Sequence, residues 1–413
     1  MSYQVITHDD ARYETLKKGF NLRWPADGQQ AGAIIVCRDA DEARQALQYA
    51  VDHGKRPTIR SGGHCYEGFV SNNRDGIILD IGPMSGLLND VHAGGHRYGF
   101  QLLAGNQNWD GYVGLYKLHG KTIPGGSCYS VGAGGHISGG GYGLLSRMHG
   151  LTVDWLSAVD ILLVDEKRKV HLVHAREDNG HADLLRLCRG GGGGNAGLIT
   201  SYYFDDMPPA PRLVALQFLE YDWAQLRHTP AMFADLLHAY GEYWAEADRQ
   251  SDGYGLFSLL KLNHVSTGKI GLVVQYTDEN GRLDDTGPLV DFNQRMSQAC
   301  LPQPLSGYLA GGSHLPFVPH RSIHARHHAA LPPHTQVMDI RHSDAERFRQ
   351  QPARQIQVSL YETGLYRTRG ERHLSPPEPG GSDRRGSQPD AAASGLLRRR
   401  DQPRRQRQQR FQP

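Results

Sequence analysis

The sequence predicts an α+β protein of at least two domains, on three observations. Residues 33–60 read as strand, helix, strand; residues 98–200 alternate short strands with glycine-rich turns; and beyond Pro208-Pro209 a strand, a long helix and a pair of antiparallel strands follow. At 413 residues the chain is also too long for one compact core. The expected division is 1–207, 208–330 and an aberrant, disordered tail over 331–413.

Ala33-Ile-Ile-Val-Cys37 is a short β-branched run. Asp39 with Glu42 three residues on is a capping-box start. Ala43, Ala46, Leu47, Ala50 and Val51 then share one helical face, and Gly54 stands where a helix ends. Arg56 to Arg60 re-enters a strand that delivers Ser61-Gly-Gly-His64, and Gly76 to Asp80 supplies another strand. Ala158–Asp165 and Lys169–Val173 read as a hairpin, and Asp183–Arg189 as a short helix. Further on, Leu213–Tyr221 is strand-like, Thr229–Glu246 helical, and Leu256–Leu262 with Lys269–Tyr276 are paired strands that helices would cover.

Charge is nearly balanced, 45 Lys+Arg against 43 Asp+Glu, which gives no global case for nucleic acid or an anionic membrane. No 18 apolar residues run together, and the start lacks a basic segment followed by an apolar one. The five cysteines, Cys37, Cys65, Cys128, Cys188 and Cys300, show neither a disulfide framework nor metal-type pairing. A soluble cytoplasmic protein without a metal is the expectation.

Glycine is the unusual residue, 50 in all, and it is concentrated locally. Arg60-Ser-Gly-Gly-His64 places two glycines after a strand, where free N–H groups can face an anion such as a pyrophosphate. From these residues alone His64 reads as a turn residue. Ile123 to Arg147 holds glycines so densely that loop is expected throughout, pressed on a flat or charged ligand, with Cys128 inside it. Gly190 to Thr200 repeats the device and ends in a strand. Neither a Walker ending nor a dinucleotide fingerprint is present. Three such clusters point to a large cofactor bound in an extended way.

In order along the chain, Arg60-Ser-Gly-Gly-His64, the Cys128 loop, Gly134-Gly-His136, Gly139-Gly-Gly-Tyr142-Gly143, Gly150-Leu-Thr-Val-Asp154 and Gly194-Asn195-Ala-Gly197 resemble the FAD domain of berberine-bridge-enzyme-like oxidases. These belong to the vanillyl-alcohol-oxidase, or PCMH-type, superfamily. The resemblance covers roughly residues 10–300. It implies a PCMH-type FAD-binding domain of two α/β subdomains plus a substrate domain. It also implies a bicovalent FAD, with His64 bonded to the flavin 8α-methyl and Cys128 to C6. Arg60, Ser61, Gly62, Gly63, Gly134, Gly135, His136, Gly139, Gly140, Asn195 and Gly197 would contribute to binding, and Tyr142 resembles an active-site tyrosine. Ala196 departs from the family's usual aromatic after Asn195.

The reaction so implied is hydride transfer from an alcohol or hemiacetal to flavin N5 while a base takes the hydroxyl proton, with O2 as acceptor giving H2O2. The partners are then a small-molecule substrate and O2, with no nucleic acid and no membrane. A dehydrogenase with another acceptor and an FAD-binding protein without turnover are the alternatives.

The family's C-terminal segment is not recognisable here. The last Lys is Lys269, and the final 47 residues carry 12 Arg with few interleaved aromatics. Arg341 to Glu362, read one nucleotide later with permissible codons, spell a string similar to the one relatives carry there. A frameshift between about 305 and 335 is therefore expected, and it would remove part of the substrate side.

Overall fold

The computed structural model describes residues 3–20, 24–247 and 253–302, and the backbone of 303–304 and 336–339. The expected frameshift interval and most of the expected tail lie outside the described residues.

β1 (Gln4–Ile6) and the one-turn α1 (Tyr13–Leu16) precede β2 (Ala33–Val36), α2 (Ala40–Asp52), β3 (Pro57–Arg60) and β4 (Ile77–Asp80). These strands form a sheet in the order β1-β2-β4-β3, with β2 and β3 both parallel to β4 and β1 antiparallel at the edge. The Asp39 carboxylate accepts from the Glu42 N–H at 2.8 Å, and Gly54, at φ 62°, follows the helix end. Glu42 closes the cap on the N–H of Arg38 (2.8 Å), one residue earlier than a capping box would. Ala43, Ala46, Leu47 and Ala50 are buried, as the apolar face of α2 requires.

Next come β5 (Leu87–Ala93), β6 (His96–Leu103), α3 (Asn108–His119), α4 (Ala133–Ser138), α5 (Ser146–His149), β7 (Leu156–Val164), β8 (Val170–Ala175), α6 (Ala182–Cys188) and β9 (Leu198–Phe204). The five strands make an antiparallel sheet in the order β5-β6-β9-β7-β8. A shared core joins it to the first sheet, through Ile35, Leu47 and Leu79 on one side and Phe100, Ile161, Tyr202 and Phe204 on the other.

Two expectations are corrected here. Residues 123–147 are not loop throughout, because α4 and α5 interrupt them. The backbone entropy that glycine loses in a helix is offset by tertiary bonds, such as Gly134 N–H to Ala104 O at 2.7 Å. The alternation of strands and turns over 98–200 also contains α3. Its Gly111 and Gly114 blunt the sequence signal, but Leu115 is buried and Gly120, at φ 63°, caps it.

The remaining described elements are β10 (Leu213–Asp222), α7 (Trp223–His228), α8 (Pro230–Ala247), β11 (Leu256–Lys261), β12 (Lys269–Tyr276), α9 (Gly287–Ala299), β13 (Gln303–Pro304) and β14 (Gln336–Asp339). The third sheet runs β11-β12-β10-β13, all antiparallel. Gln336–Asp339, assigned by the sequence to the tail, pairs antiparallel with Leu213–Leu216.

One face of this sheet packs on α8 and α9, where Leu236, Trp244, Leu289 and Phe292 are buried. Each such side chain contributes about 2–3 kcal/mol of transfer free energy. The other face, with Leu216, Phe218, Phe257, Leu259 and Val273, receives Leu144 and Tyr142 from the glycine-rich segment. The fold is α+β, with an antiparallel sheet covered by helices. No described helix is long and apolar enough to cross a membrane.

Candidate functional site

The end of β3 carries the turn at residues 61–64. Parallel β4 stops beside it in register, Arg60 opposite Asp80. The Arg60 guanidinium bonds Asp80 through Nη2 (2.6 Å) and Nε (3.1 Å), and its Nη1 reaches the carbonyls of Leu16 and Lys18. That side chain is therefore occupied in holding the N-terminal segment.

Gly62 and Gly132 are required by the contact of two loops. A Cβ on Gly62 would lie 2.3 Å from Gly132 N, and one on Gly132 would lie 2.0 Å from Ser61 Oγ. Gly135 differs, because a Cβ there meets nothing within 4 Å.

The Cys128 loop is clamped from three directions. Asn108, at the start of α3, donates to the carbonyls of Gly126 (3.0 Å) and Cys128 (3.2 Å). Tyr112 on α3 donates to Gly126 O at 2.5 Å. His136 on α4 accepts the Gly126 N–H at its Nε2, at 2.7 Å. The helix that the sequence did not announce thus positions Cys128.

His64 Nε2 lies 3.0 Å from Ser130 Oγ, and Phe20 stacks on the imidazole at 4.2 Å between centroids and 21° between planes. Burial lowers the His64 pKa, with the Ser130 bond acting weakly the other way, so the ring is neutral at pH 7. Nδ1 is the ring nitrogen opposite the one engaged by Ser130.

Burial pushes the Cys37 thiol up to about 12, helped by Glu42, Asp80 and Asp39, and the Cys188 thiol up to about 11. Both are inert packing residues at neutral pH. Cys65 and Cys128 are half-buried, and none of the five cysteines is in a disulfide.

Three glycine-rich segments converge on one cleft of about 470 Å³. The first turn gives it Ser61, Gly62, Gly63, His64 and Cys65; the second gives Cys128, Gly132, Gly134, Gly135, His136 and Ser138; the third gives Gly193, Gly194 and Gly197. Walls not foreseen from the sequence are Ile59, Tyr66, Phe69, Val70 and Ile199. Tyr66 and Phe69 follow His64 closely, and their exposure of 74% and 70% makes them rim residues.

Four of the expected site residues are not among its lining. Gly139 closes α4, Gly140 takes φ 115° behind it, and Asn195 donates to Gly191 O at 2.6 Å to shape its own loop. Tyr142 faces the third sheet, 6.2 Å from the Phe257 ring centroid.

His136 carries a pH prediction. Burial lowers its pKa from 6.5 to about 4. Between those values the unfolded chain binds a proton that the folded chain refuses, so stability is full above pH 6.5 and falls as pH drops through the window. The loss amounts to at most about 3 kcal/mol. Urea midpoints at pH 7.5 and 4.5 should fall further for the native chain than for His136→Gln, and equal slopes would contradict the assignment.

Residues 31–170 match the family model described as an FAD binding domain. Hexose oxidase of Chondrus crispus is 40% identical over 219 residues, 52% of this chain and 39% of that protein. The aclacinomycin-N/aclacinomycin-A oxidase of Streptomyces galilaeus is 32% identical over 297 residues, 68% of this chain and 52% of that protein. Among solved structures, CrmK, a flavoenzyme of shunt product recycling in caerulomycin biosynthesis, superimposes with a TM-score of 0.67 at 34% identity, covering 74% of this chain and 62% of that one.

The cleft and the glycine-rich turns are thus those of an FAD-binding domain. The chain carries an FAD-binding domain similar to that of FAD-linked oxidoreductases, and it spans about half the length of the curated relatives it matches.

Proposed function

We propose that the chain is an FAD-dependent oxidase of an alcohol or hemiacetal, on a sugar or a sugar-bearing secondary metabolite, with its flavin tethered at His64 and Cys128. The observation that carries this reading is the convergence of three glycine-rich segments on one cleft that also holds an imidazole and a thiol. The residues present suit the group. Gly135 leaves its side of the cleft clear for a flat ring, and Ile59, Val70 and Ile199 offer apolar wall.

Bound FAD supplies a two-electron acceptor. His64, neutral by burial, offers a ring nitrogen for a bond. Asn108, Tyr112 and His136 hold the Cys128 loop so that the thiol borders the same space. Tyr142, which packs on the apolar face of the third sheet, is the group to which this reading assigns the hydroxyl proton. The names of the relatives, a hexose oxidase and an aclacinomycin oxidase, support the sugar-bearing substrate class and O2 as acceptor.

A second reading, a flavoprotein that binds FAD without turnover, is favoured by the aberrant, Arg-rich and Lys-free tail in which the family's C-terminal segment is not recognisable. Purified protein should show flavin absorption and release H2O2 when given hexoses, oligosaccharides or aclacinomycins in air. A flavin-loaded preparation that no sugar or glycoside reduces under anaerobic conditions would establish the second reading. Reduction without reoxidation by air would make the protein a dehydrogenase. Tyr142→Phe should lower kcat by about 10²- to 10⁴-fold at unchanged flavin content. An unaltered kcat would give the proton to another group.

A further inference from the structure

We propose that Phe20 is a positioning residue that fixes the plane of the His64 imidazole for bonding to flavin, held by a clamp whose centre is the Arg60–Asp80 ion pair. The inference rests on the reading of His64 as a flavin tether. Phe20 is 56% exposed, so core burial does not account for it. Its ring nevertheless lies on His64 at 4.2 Å and 21°, and its backbone N–H donates to Gly63 O at 2.8 Å. Ring and main chain together therefore register the segment against the turn that carries the imidazole.

The segment is in turn held from below. Arg60 reaches the carbonyls of Leu16 and Lys18 while its other nitrogens bond Asp80. The two side chains are only 7% and 15% exposed. Removing such charges from water is costly and brings little net stability by itself, so the geometry that the pair imposes is its better explanation. Gly19 sits under the same clamp, where a Cβ would come within 3.0 Å of Gly63 O.

An imidazole rotates broadly about its outer torsion. Ser130 fixes one nitrogen at 3.0 Å, and the Phe20 face fixes the plane, so the opposite nitrogen has one direction left. In the attachment, His64 forms a C–N bond to the 8α carbon. A C–H bond of that methyl breaks, and its proton and that of the imidazole N–H leave to solvent. The electron pair stays in the flavin ring until dissolved O2 takes it up with two protons as H2O2.

The test uses the full chain carrying Cys128→Ala, so that only a histidyl adduct can form. FAD is added to apoprotein in air, and adduct is followed by intact mass and by in-gel fluorescence across a range of pH. Phe20→Ala and Phe20→Leu should slow attachment about fivefold, the ratio one aromatic stack is worth. Phe20→Tyr should restore the rate. Arg60→Met should slow it similarly in protein whose thermal melt shows it folded. Attachment in Phe20→Ala as fast as in the parent protein would overturn the inference and leave the tether intact. Absence of any adduct in the Cys128→Ala protein would overturn both, by removing the histidyl bond itself.

Discussion

Replacing His64 and Cys128 together is expected to turn an acid-stable yellow protein into one that surrenders its whole flavin on denaturation. Both residues border the one cleft that the glycine-rich segments share, whereas Cys37, Cys188 and Cys300 are buried elsewhere. Each single replacement should keep one bond and so keep colour in the acid precipitate, with a shifted absorption spectrum. Loss of the histidyl bond should lower the redox potential, because an electron-withdrawing substituent on the ring is removed. Intact mass of the four proteins, before and after precipitation, decides the matter. An adduct that survives the double replacement would move the tether, with Cys65 the first residue to examine because it lines the same space.

The second large effect separates glycines that serve the ligand from glycines that serve the fold. In the His64→Ala/Cys128→Ala background, where flavin can be removed, Gly135→Val should leave the melting of apoprotein nearly unchanged. Nothing lies within 4 Å of the added Cβ, and the residue is in the short helix α4. FAD affinity should fall at least 100-fold, about 3 kcal/mol, because the new side chain enters the cleft. Gly62→Ala should do the reverse in apoprotein. Its Cβ would meet Gly132 N at 2.3 Å, backbone against backbone, so about 2–4 kcal/mol of stability should be lost. Urea unfolding of the apo forms and FAD titration by fluorescence quenching read the two quantities separately. Similar FAD affinity in Gly135→Val would place the flavin off this face of the cleft.

The contrast between these glycines shows what was readable beforehand. That residues 60–66, 123–147 and 190–200 stand apart from the rest of the chain was readable, since such a density of glycine points to close approach or positive φ, and all three border one cleft. Which glycine faces a ligand and which faces another loop was not visible, because that depends on contacts between segments 70 residues apart, such as Gly62 with Gly132. Arg60 illustrates the same limit. The resemblance counts it among the cofactor-binding residues and it lines the cleft, yet Asp80 and the carbonyls of Leu16 and Lys18 engage its donors. Phe20 and Ser130 carried no signal at all, since a stacked ring and one hydroxyl have no spacing rule.

By itself, the order of residues determined the α+β class, the ends of α2, the β7–β8 hairpin and the β11–β12 pair, because caps, β-branching and periodicity act over a few neighbours. Tertiary structure alone decided that α3 forms despite its glycines and that it clamps the Cys128 loop. It also turned Tyr142 toward the third sheet and brought an imidazole, a thiol and three turns to one cleft. Those outcomes depend on burial and on bonds between distant segments, whose free energy exists only once the chain has closed on itself.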